Sequence, residues 1–112
     1  MTTLYVNEAE TLVGDGVASS QWVAAIGHAI LDTIRKGKPC TISIDHGNSS
    51  MQRFYIPATA AVRLVGSEDG FVMTPAAQSL SAECAQALAA GQEPMVSLAA
   101  FRTRFGVTDN GL

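Results

Sequence analysis

Charge is what this sequence has least of. Charged residues are 15% of its 112 positions, against about 25% in an average globular domain. With 47% hydrophobic residues and a mean hydropathy of +0.20, the chain is too apolar for the disordered class, which combines low hydrophobicity with high net charge. Cations are scarcer than acids: seven Lys and Arg face ten Asp and Glu, for a net charge of -3. Phosphate neutralisation underlies non-specific nucleic-acid binding, so the whole-chain balance argues against that class.

Cysteine and histidine are also few. Cys40 and Cys84 form no CxxC pair, which removes zinc-ribbon and thioredoxin-like chemistry and leaves arithmetic room for one disulfide. The two histidines, His28 and His46, belong to no HExxH motif, and no glycine-rich phosphate loop or GxSxG elbow is present, so no metal and no cofactor is expected. The longest apolar window, Trp22 to Leu31, is half the roughly 20 residues of a membrane span. Residues 1–10 lack the basic start and apolar run of a leader. A single domain over residues 1–112, cytoplasmic and with a frayed tail at 108–112, is the expectation.

What is there alternates. Leu4 and Val6 share a face in a strand over residues 3–6, and residues 11–13 suit a second short strand before the break at Gly14-Asp15-Gly16. Residues 19–36 read as a helix capped by Ser19 or Ser20 and stopped by Gly37. Its apolar stripe is Trp22, Val23, Ile26, Gly27, Ile30 and Ile34, with Gln21, His28, Asp32 and Arg35 opposite. Gly27 on that stripe permits close approach of a neighbour.

Residues 40–45 and 51–56 alternate around a polar loop and form a hairpin that Pro57 ends. Residues 60–65 and 71–74 flank Gly66-Ser67-Glu68-Asp69-Gly70 as a second hairpin. Thr74-Pro75 opens a helix with Ala77, Leu80, Cys84, Ala87 and Leu88 inward, and Gly91 stops it. Pro94 then opens a third helix through Arg104, with Met95, Leu98, Phe101 and Phe105 inward. The class is α+β: a small antiparallel sheet of two hairpins plus an N-terminal strand, packed by one N-terminal and two C-terminal helices. With no strand visible after the second helix, a split βαβ arrangement is set aside.

Asp45-His46 beside Ser49 and Ser50 is the best catalytic candidate, with Cys40 second through its neighbours Arg35, Lys36 and Lys38. Both have a plainer explanation. Asp, Gly, Asn and Ser are turn residues, and adjacent strand residues point to opposite faces. No catalytic residue is assigned. His28 and Asp32 are helical neighbours with no further ligands nearby, hence a solvated face. Arg35, Lys36, Lys38 and Arg53, with Tyr55 to stack a base, carry the nucleic-acid alternative; a helix C-terminus favours the same cations.

The preferred reading is a small non-catalytic protein-binding or regulatory module of inhibitor or adaptor type, acting by occupying a partner's surface. Trp22, Tyr5, Tyr55 and Arg53 are its expected anchors, because aromatics and Arg dominate binding hot spots. Homodimerisation is expected from the low charge density and the alanine-rich helix. The alternatives are a nucleic-acid binder and a small enzyme using Asp45, His46 or Cys40.

Overall fold

The computed structural model describes residues 1–66 and 73–108. Among these residues nine elements follow in chain order: β1 (Thr2–Val6), β2 (Ala9–Gly14), α1 (Val17–Arg35), β3 (Cys40–Gly47), β4 (Ser50–Ile56), β5 (Val62–Gly66), α2 (Pro75–Ala89), β6 (Met95–Ser97) and α3 (Leu98–Phe105). The class is α+β, with one N-terminal and two C-terminal helices. The strands divide into two three-stranded sheets, ordered β2-β1-β5 and β4-β3-β6.

Both local hairpins turn on two residues with positive φ, Asn7 and Glu8 (51° and 67°) and Asn48 and Ser49 (51° and 62°). Two consecutive left-handed residues make the tight turn whose twist matches that of paired strands. Asn7 also extends the first sheet: its amide donates to Ala61 O at 2.7 Å and its Oδ1 accepts from Ala61 N at 3.0 Å. Serine pays a steric penalty in this region that glycine avoids. Ser49→Gly is therefore expected to raise stability by up to about 1 kcal/mol, read as a higher urea midpoint at unchanged slope.

The long-range pairings depart from the sequence expectation at two places. β5 pairs antiparallel with β1, from Val62 opposite Val6 to Gly66 opposite Thr2, a pairing the sequence did not indicate. Of the expected second hairpin, residues 67–72 lie outside the described residues, as do 109–112 of the expected frayed tail. The other departure is β6. Residues 95–97 are not the start of the third helix but a strand parallel to β3, Ser43 facing Met95 and Asp45 facing Ser97. A strand does follow the second helix, so the ground for setting aside a split βαβ unit falls, although the strand orders observed are those of two separate sheets. Met95, expected inward, is 65% exposed.

α1 packs against β1, β2 and α2, and more lightly against β3, β5 and α3. Such a helix has little free surface, and every residue from Ala18 to Gly27 is buried. It starts at Val17 rather than at Ser19 or Ser20. Gly16 is its cap, and Ser19 Oγ accepts from Gly16 N at 2.9 Å. Ser20 is spent on the preceding strand, donating to Gly14 O at 2.9 Å. Gln21, expected on the polar face, is buried because the start of α2 sits on it: Thr74 N donates to Gln21 Oε1 at 2.9 Å. Gly27 lies against Leu64 of β5, confirming the close approach.

Both long helices end as the glycines indicate. Gly37 N donates to Ile34 O at 2.8 Å while Lys38 N reaches Thr33 O at 3.2 Å. Gly91 N donates to Leu88 O at 3.1 Å while Gln92 N reaches Ala87 O at 2.8 Å. Each is the paired carbonyl capping of a left-handed C′ residue. The core is continuous from Leu4 and Leu12, through Val23, Ile26 and Ile30, to Ile42, Ile44, Ile56 and Val96, closed by Cys84, Leu88 and Phe101.

Candidate functional site

Two features stand out on the finished fold. One is the outer face of the β4-β3-β6 sheet. Alternation sends Ile42, Ile44, Ile56 and Val96 into the core and the odd positions of β4 outward. Tyr55 opposes Thr41, Arg53 opposes Ser43 and Met51 opposes Asp45. On the other side of β3, Met95 opposes Ser43. Tyr55 is 67% exposed, Met51 54% and Met95 65%. Arg53 Nε lies 2.6 Å from Glu93 Oε1, and the same oxygen accepts from Ser43 Oγ at 3.2 Å.

The other is a cleft of about 300 Å³ where β2, the N-terminal half of α1, the end of β3 and α3 meet. Leu12, Val13, Trp22, Leu98 and Ala99 are its apolar lining, and Thr11, Asp45, His46 and Arg102 its polar side chains. Trp22 is 5% exposed, and its Nε1 is out of solvent's reach with no hydrogen-bond acceptor. His46 Nε2 bonds Gln52 Oε1 at 2.5 Å. Asp45 Oδ1 accepts from Gly47 N at 2.9 Å.

The four expected anchors are thus dispersed. Trp22 belongs to the core cluster, as its place on the apolar stripe of α1 requires, and offers no exposed face to a partner. Tyr5 is half-buried, with the Arg63 guanidinium 4.3 Å above its ring. Tyr55 and Arg53 stand together on the outer sheet face. Met51 and Met95 join them there. Strand alternation places Met51 beside Tyr55, so that neighbour was readable; Met95 needed the long-range β3–β6 pairing.

The catalytic candidates lose their geometry. Asp45 turns to the backbone of Gly47 and His46 to Gln52, while Ser49 and Ser50 are exposed. Cys40 is 1% exposed, and its Sγ lies 4.0 Å from Ile30 O. Burial raises its pKa despite a hydrogen bond from Thr33. Burial, reinforced by the Glu83 charge, pushes Cys84 up to about 11. Both cysteines are free thiols. Neither is a thiolate at neutral pH, so a disulfide-exchange reagent should label both only after denaturation. Rapid labelling of native protein at either position would contradict the burial.

The basic run is partly neutralised. Lys36 Nζ lies 3.1 Å from Asp32 Oδ2, one helical turn back. Arg53 is held by Glu93 as above. Two acidic side chains also find cations from other elements: Glu8 meets Arg63 at 3.1 Å, and Glu83 takes both terminal nitrogens of Arg104 at 2.6 and 2.5 Å. The Arg104 hydrogen bond holds the Glu83 carboxyl below its usual range. No helix of the described residues is long and apolar enough to cross a membrane, and no group of three or more His, Cys, Asp and Glu among them is placed to hold a metal ion. No family model, curated protein or solved structure matches the chain.

Proposed function

We propose that the chain is a small protein-binding module whose contact surface is the outer face of the β4-β3-β6 sheet. The observation that carries this reading is the joint exposure of Tyr55, Met51 and Met95 around Arg53 on one sheet face. Aromatic residues, Met and Arg are the types enriched where proteins bind one another. A flat sheet face with Thr41 and Ser43 between these side chains gives an apolar patch with polar groups inside it. The module acts by occupying its partner's surface, in the manner of an inhibitor or adaptor. Two buried, unpaired thiols suit a reducing compartment, and the proposal places the chain in the cytoplasm.

The nucleic-acid alternative has less support: two of its four cations, Lys36 and Arg53, already face carboxylates.

A photo-crosslinking amino acid at position 55, with the exposed Gln78 of α2 as the control position, tests the surface in the native host. The expected result is one protein crosslinked from position 55 and absent from position 78. With that protein purified, Tyr55→Ala and Met95→Ala should each weaken binding by at least about tenfold, the hot-spot range, while leaving the melting temperature unchanged. Identical crosslinks from both positions would remove the proposal. Self-association through the same face is the accompanying expectation, and light scattering that gives a concentration-independent monomer would remove it.

A further inference from the structure

A strand at the margin of a sheet carries a row of backbone donors and acceptors that another strand can take up. The two sheets have four such strands among the described residues: β2, β5, β4 and β6. Three of them are poor templates. β6 is three residues long and follows Pro94, which has no N–H. β2 shifts register against β1 between Leu4 and Tyr5, and such an irregularity bends an edge away from further pairing. β5 has five residues and runs out into Gly66. β4 is the longest at seven, packs against β3 and hardly against any other described element, and keeps an unbroken register from Met51 to Ile56. Its one charge, Arg53, already faces Glu93.

We propose that β4 pairs antiparallel with β4 of a second copy of this chain, about a two-fold axis at Phe54, to make one six-stranded sheet. Each Arg53 then stands opposite the other copy's Tyr55, each Gln52 opposite an Ile56, and Phe54 opposite itself. The chain already builds the first of these contacts internally. Tyr5 of β1 opposes Arg63 of β5, the Arg63 guanidinium lies 4.3 Å above the Tyr5 ring, and Arg63 Nη2 reaches Glu8 at 3.1 Å. β4 carries both halves of that arrangement: Arg53, tied to Glu93 as Arg63 is to Glu8, and Tyr55, 67% exposed. Pairing about Phe54 joins the halves twice and opposes no like charges, whereas pairing about Arg53 would set two arginines face to face, which is unfavourable. Phe54 packs on the core from the inner side of the sheet but is only partly buried. A second Phe54 across the axis covers the remainder, as an aromatic cross-strand pair. The edge lies in the plane of the sheet and the outer face points out of it, so pairing at β4 does not depend on a partner at that face.

So short a pairing makes a small interface, and sedimentation equilibrium of the purified chain should give a dimer with a dissociation constant of the order of 10 µM. Tyr55→Lys sets a second cation opposite Arg53 and should weaken self-association at least about tenfold, at an unchanged melting temperature because position 55 is exposed. Val65→Lys, on the β5 edge and 42% exposed in the parent, should leave the dimer intact. Cysteine variants read the register, since Cys40 and Cys84 are buried. Phe54→Cys places two thiols on the axis with Cα atoms about 4.5–5.5 Å apart, within disulfide reach. Under mild oxidation it should form a covalent dimer well ahead of Arg53→Cys, whose two copies lie diagonally at about 7–8 Å. If Phe54→Cys fails to fold, Arg53→Cys and Tyr55→Cys proteins take its place and, when mixed, should crosslink to each other rather than to themselves. A monomer at every concentration up to about 1 mM, an equal loss in Val65→Lys, or Arg53→Cys dimers that form as fast as those of Phe54→Cys would each overturn the assignment.

Discussion

Gly14→Ala is expected to destabilise the protein by about 3 kcal/mol or more, above the usual range for added methyl groups in packed sites. A Cβ at position 14 would lie 2.3 Å from Ser19 O, 2.4 Å from Ser19 C and 2.6 Å from Ser20 N. All three are backbone atoms in the first turn of α1, so no side-chain rotation relieves the clash. Either β2 leaves its register with β1, where Gly14 faces Thr2, or α1 lifts from the sheet and the bond from Ser20 Oγ to Gly14 O is lost. Gly14 is not among the positive-φ residues, so its requirement is space rather than backbone freedom. Gly37→Ala supplies the contrast. It has φ of +77° with nothing within 4 Å of its added Cβ, and should cost only about 1 kcal/mol of backbone strain. Urea melts of the two variants separate the mechanisms, and equal losses would show that the β2–α1 junction yields.

Ile26→Ala comes next, at about 2–5 kcal/mol. Ile26 is 0% exposed and sits at the middle of α1, between Val23 and Ile30 in the core. Alanine there loses the transfer energy of the removed carbons and leaves a cavity that several elements border, so the walls cannot all move in. A loss at the upper end is a large fraction of the roughly 5–15 kcal/mol by which domains are stable. Ile26→Val, which removes one methylene, should cost about 0.5–1.5 kcal/mol. Ile34, near the helix end and only partly buried, should cost less than Ile26 on truncation to alanine. Chemical denaturation of the three variants checks the order Ile26→Ala, Ile34→Ala, Ile26→Val, and parity between the two alanine variants would argue against α1 as the packed centre.

What could be read from the sequence was what short-range chemistry decides. Gly37 and Gly91 announced both helix ends because a left-handed C′ residue is a local requirement. Thr74-Pro75 announced the start of α2 because capping is local too, and the β3–β4 hairpin followed from alternation around a polar loop. β5 and β6 were not readable in that way. Their partners β1 and β3 lie far off in the chain, and Pro94 before Met95 carries the same signal for a helix start as for a strand edge. For Trp22, the helical stripe and the surface-anchor expectation pulled in opposite directions, and packing followed the stripe. Burial of Gln21 depended on where α2 begins in space, which no local pattern encodes. Of the proposed contact face, Tyr55 and Arg53 were legible as outward β4 residues; the cleft was not, because its four walls come from four separate stretches.

The strand pairings interleave the two sheets along the chain. Residues 2–14 begin the first sheet and residues 62–66 complete it; residues 40–56 begin the second and residues 95–97 complete it. During synthesis the first sheet must wait, with one edge of β1 open, until the second has already started. No single cut divides the chain into halves that each hold a whole sheet. A cut in residues 57–61 leaves β1 without β5 on one fragment and β6 without β3 on the other. The two sheets are therefore inherited, and lost, together.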